Sequence, residues 1–64
     1  MNHVEVIKTA QIGRRLVEVT MSKVDKLGQV IGKKVTAQGG FKRAKDFDYD
    51  VARSAAISTA KMKF

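Results

Sequence analysis

The chain contains no cysteine, no proline and no tryptophan. Without cysteine, neither a disulfide nor a thiolate metal site can stabilise the fold. That composition agrees with a cytoplasmic protein, or with one acting in a host cytoplasm if it is phage-encoded. Without proline, long stiffened loops are not expected. The single histidine, His3, stands at the start of the chain and reads as a surface residue rather than a general base. Aromatic residues are limited to three Phe and one Tyr, which is poor provision for the stacking platforms that single-strand binders use. No apolar run approaches the ~20 residues that span a bilayer. Nor does the N-terminus carry the hydrophobic core of a signal peptide.

What is present is a short, basic chain. Its 64 residues leave room for a single domain, 1–64. A chain of this size buries only about 60% of the surface it exposes when extended, so its stability is marginal. A homodimer would bury more, and one is expected on that ground. Thirteen Lys and Arg against six Asp and Glu give a formal charge of +7. Residues 1–32 hold a net +2 and residues 33–64 a net +5. Lys33, Lys34, Lys42, Arg43 and Lys45 follow one another with no acidic residue between them. Gly39-Gly40 lies in their midst, and paired glycines between extended segments signal a two-residue hairpin turn. Two arms lined with cations repel one another until a polyanion lies against them, and a nucleic-acid backbone is the commonest polyanion.

Extended segments come first. Val4, Val6, Ala10 and Ile12 alternate with Glu5, Ile7, Thr9 and Gln11, with Lys8 breaking the pattern, so a strand is expected over about 3–12. Gly13-Arg14 interrupts it. Val17, Val19 and Met21 then alternate with Glu18, Thr20 and Ser22 in the clearest strand of the chain, about 15–24. Asp25-Lys26-Leu27-Gly28 has the Asp-first, Gly-last pattern of a type I turn. A third strand over about 29–38 is weakened by Gly32 inside it, and residues 41–47 offer a fourth. The C-terminal segment changes character: Asp46, Asp48 and Asp50 precede Ala52, Ala55, Ala56 and Ala60, and Lys61 and Lys63 close the run. Acids first, alanines through the middle and lysines last match a helix and its dipole, about 48–62, with Asp48 or Asp50 as N-cap. An apolar arc of Val51, Ala52, Ala55, Ala56 and Met62, extended by Ile57, Ala60 and Phe64, suits packing on a sheet on one side and a second copy on the other.

These elements predict an α+β fold, an antiparallel three- to four-stranded meander with one C-terminal helix packed on one face. The other face would be polar, built from Glu5, Thr9, Gln11, Glu18, Thr20, Ser22, Lys34, Thr36 and Gln38. The same element order occurs in DNA-binding domains that lay a sheet in the major groove, although shared topology does not carry function.

The inventory for catalysis is thin. Neither a nucleophile with its base nor two carboxylates placed in a cleft can be picked out, so no enzymatic activity and no cofactor are assigned. Asp46, Asp48 and Asp50 lack the spacing and the glycine of a calcium loop, and read as a helix start. Gly28-x-x-x-Gly32-Lys33-Lys34 is one residue short of a phosphate loop and has lysine where that motif needs Ser or Thr. The resulting expectation is a small, non-enzymatic nucleic-acid-binding protein, of the kind carried as an accessory factor by a phage or mobile element. Its phosphate contacts would come from Lys33, Lys34, Lys42, Arg43 and Lys45, with Arg14 and Arg15 assisting, on duplex rather than single strands. The alternative is an inhibitor or regulator that docks on a larger protein, a nucleoprotein or an acidic protein surface.

Overall fold

The computed structural model describes residues 3–63. Three strands, β1 (His3–Ile12), β2 (Leu16–Val24) and β3 (Val30–Gly40), are followed by a single 3-10 turn (Ala44–Asp46) and one helix, α1 (Tyr49–Met62). The strands form an antiparallel sheet in the order β1-β2-β3, a simple meander. The helix lies along β3 and β2 and barely touches β1. This is the α+β meander with one helix that the residue pattern predicts. The body is elongated, 41 × 17 × 16 Å.

Period-two alternation places the core. Val17, Val19 and Met21 point from β2 toward the helix and are fully buried, with Val35 and Ala37 beside them on β3. Each of these Val and Met side chains contributes about 1.5–3 kcal/mol by leaving water. From the helix, Ala52, Ala56 and Ala60 complete the core at four-residue intervals, one stripe of its surface. Val51 and Met62 stay exposed on the flank, and so does Ala55. The wide apolar arc anticipated for the helix therefore divides into a narrow buried stripe and an exposed flank. Phe64 lies outside the described residues.

The two loops are built locally. Gly13 takes φ 64° in the three-residue connection between β1 and β2. Between β2 and β3, Asp25 Oδ1 accepts from the backbone N–H groups of Leu27 and Gln29 at 2.9 and 3.0 Å. Gly28 closes the loop at φ 81° and donates to the Asp25 carbonyl. This is the Asp-first, Gly-last turn expected at that position. At the helix start, Asp48 Oδ1 accepts from Val51 N–H at 3.1 Å and is the N-cap, resolving the choice between Asp48 and Asp50.

Three expectations are overturned. Gly39-Gly40 is not a hairpin turn; both residues lie inside β3 and neither has a positive φ. A Cβ on Gly39 would collide with the carbonyl oxygen of Ala52 and come within 2.9 Å of Ala56 N, so this glycine lets the helix approach. A Cβ on Gly40 would strike the carbonyl oxygen of Arg15 and the Leu16 side chain. Secondly, residues 41–47 form no strand. Phe41 and Phe47 both pack on the core and meet edge to face at 6.2 Å, drawing the segment into a compact turn around Ala44–Asp46. Thirdly, the face opposite the helix is not the predicted polar set. The β1 register shifts between Val6 and Lys8, so Ile7 is an extra residue and the side-chain parity reverses beyond it. Thr9 and Gln11 pair with Val19 and Val17 on the helix side, while Lys8, Ala10 and Ile12 join Glu5 on the open face.

Candidate nucleic-acid interface

The open face carries a ladder of polar pairs. Thr20 and Thr36 bring their hydroxyls to 3.4 Å, and Gln38 Nε2 donates to Glu18 Oε2 at 3.2 Å. Its charged residues are Lys8 and Lys34 against Glu5 and Glu18, a balanced set. The basic surplus of the chain therefore lies elsewhere.

One part of it is gathered at the end of the molecule where the β1–β2 loop meets the 41–46 segment. Leu16 pairs with Gly40, and Phe41 N–H donates to the Arg15 carbonyl at 3.0 Å. Arg15 Nη1 returns a hydrogen bond to the Lys42 carbonyl at 2.8 Å. These contacts bring Arg14 and Arg15 together with Lys42, Arg43 and Lys45, all of them exposed. Arg43 is less available than its neighbours, because its Nε donates to Asp46 Oδ2 at 2.6 Å. An exposed pair of this kind contributes little to stability, but it offsets one positive charge where the polyanion was expected.

Lys33 and Lys34 do not belong to that cluster. They sit at a bulge where β3 holds extra residues opposite Ser22 and Lys23, with Gly32 at φ 81°. Six rises of extended strand separate Lys34 from Gly40, about 20 Å. The continuous basic hairpin expected around Gly39-Gly40 is thus divided between the two ends of the body, because Gly39 and Gly40 extend the strand instead of turning it.

The fold supplies new neighbours to Lys33 and Lys34. Gly39 lies against Ala52 and Ala56, so α1 starts beside the end of β3 and runs back along it. At about 1.5 Å per residue, Lys61 and Lys63 lie about 10–14 Å beyond that contact, level with Val35 and next to the bulge. Lys23, paired with Ile31, and Lys26 in the following loop are exposed at the same end. Six lysines there face Glu5 and Asp25, a surplus of four. With Arg53 one turn into the helix, the Arg14 end sets six cations against Asp46, Asp48 and Asp50, a surplus of three. Sequence reading missed Lys23, Lys26, Lys61 and Lys63 as site residues; the positive run at the helix C-terminus was visible, but its return to the bulge was not.

No pocket opens on the described surface, and no group of His, Asp and Glu among the described residues could hold a metal ion. Phe41 is half-buried against Phe47, and the exposed ring at this end is Tyr49, set between Asp48 and Asp50 at the helix start. No helix among the described residues is long and apolar enough to cross a membrane. The chain matches no protein family, no curated protein and no solved structure.

Proposed function

We propose that the protein is a small non-enzymatic binder of double-stranded nucleic acid that grips the phosphate backbone. The observation that carries this reading is the tie between Arg15 and Lys42, which holds two separate basic segments of the chain against one another. Self-repulsion among Arg14, Arg15, Lys42 and Lys45 is relieved when phosphates lie against them. Because Phe41 and Phe47 pack edge to face against each other and the exposed Tyr49 is flanked by Asp48 and Asp50, the surface suits a duplex better than an unstacked single strand.

The test is an anisotropy titration with a labelled duplex and with a single strand of equal length. The duplex should bind more tightly. Triple replacement of Arg14, Lys42 and Lys45 by alanine should weaken that binding with little effect on folding, since exposed substitutions away from structural contacts usually change stability within about 0.5 kcal/mol. Failure of both nucleic acids to bind at low salt would favour the alternative of a protein-docking regulator, and retention of one partner from extract after nuclease treatment would identify it.

A further inference from the structure

The lysines assembled at the far end of the molecule have no role in the interface built around Arg15. We infer that they are a second phosphate-contact site on the same duplex, so that the protein lies along the nucleic-acid axis and grips it at both ends. The inference rests on the duplex-binding reading above and adds the geometry of the ligand to it.

Along the strands the two ends are about 20 Å apart from Lys34 to Gly40 and about 27 Å apart over the nine residues of β2, beyond which Lys26 lies, and the whole body is 41 Å long. One turn of duplex is about 34–36 Å, so the body covers roughly one turn and its two basic ends meet phosphates about six to eight base pairs apart. The open face between them is charge-balanced, with Lys8 set against Glu18. Attraction is therefore concentrated at two sites on a stiff, narrow body. A partner must present negative charge at both sites at that spacing, and a regular double helix does so along its whole length.

Two linked contacts on a rigid ligand reinforce one another only when the ligand reaches both. Duplex length is the variable that exposes this. Paired duplexes of about four and about sixteen base pairs, closed by non-nucleotide linkers, would be titrated with the wild-type protein across a range of salt. Per available site, the longer duplex should bind at least about tenfold more tightly and with a steeper salt slope. The variant with Lys33, Lys34, Lys61 and Lys63 replaced by alanine should retain binding but forfeit most of that length dependence, with a melting temperature close to wild type.

Equal affinity and equal slope for the two lengths would overturn the two-ended grip while leaving duplex binding in place. So would a four-lysine variant that keeps the wild-type slope. Absence of binding to either duplex would remove the underlying reading together with this one.

Discussion

Arg15 Nη1 donates to the backbone carbonyl of Lys42 at 2.8 Å across 27 residues of chain. The bond ties the β1–β2 loop to the turn that leads into the helix. It does so with a side chain whose charge also contributes to the basic end.

Replacing Arg15 separates those two roles. Arg15→Ala should cost about 0.5–1.5 kcal/mol, the usual net value of one intramolecular hydrogen bond, and should weaken duplex binding as well. Arg15→Lys keeps the charge but not the planar fork that reaches the carbonyl. It should restore most of the binding and little of the stability, read by urea unfolding and by anisotropy on the same preparations.

Gly39→Ala tests the helix–sheet approach. The new Cβ would meet the Ala52 carbonyl oxygen, a backbone group that cannot swing aside. Relaxing that clash should cost about 1–3 kcal/mol, as overpacking does elsewhere. Gly28→Ala is the control: nothing lies within 4 Å of its Cβ position, so its cost comes from φ 81° alone and should be about 1–2 kcal/mol. Equal urea midpoints for Gly39→Ala and wild type would contradict the close approach.

Ser22 is fully buried, and its Oγ finds no hydrogen-bond partner among the described residues. An unpaired buried hydroxyl is unfavourable, whereas removing it leaves a small, apolar side chain. Ser22→Ala should therefore leave stability unchanged or raise it by up to about 1 kcal/mol. A clear fall in the unfolding midpoint would show that the hydroxyl is satisfied.

Binding should be nearly indifferent to base sequence. The polar side chains of the open face bond one another, Thr20 with Thr36 and Gln38 with Glu18, while the cations lie at the ends. Backbone contacts position a protein without reading bases. Duplexes of unrelated sequence and equal length should give affinities within about threefold of one another. A preference of about a hundredfold would place base-edge contacts at the centre of the interface instead.

How much of this was legible in the sequence depends on how local the cause is. The alternation of Val17, Val19 and Met21, the Asp25–Gly28 loop and the Asp48 cap are set by residues within a few positions, and each appears where the pattern places it. Gly39-Gly40 has two physical uses, positive φ or the absence of a Cβ. The choice between them depends on Ala52 and Ala56, more than ten residues away. The β1 bulge left a trace, since Lys8 breaks the alternation, but the parity reversal that it marks follows from pairing with β2. For the same reason the cluster of Lys33 with Lys61 and Lys63 is invisible in a linear charge count: the helix creates it by running back along β3.

The most direct test of phosphate-backbone recognition is the salt dependence of binding to a duplex of one and a half turns. Each neutralised phosphate contributes about −0.9 to the slope of log affinity against log salt. About six neutralised phosphates, shared between the Arg14 and Lys33 ends, would give a slope near −5. Replacing either end's cations should flatten it by about one for each phosphate left without its cation. No binding at low salt, or a slope flatter than about −1, would contradict phosphate-backbone recognition.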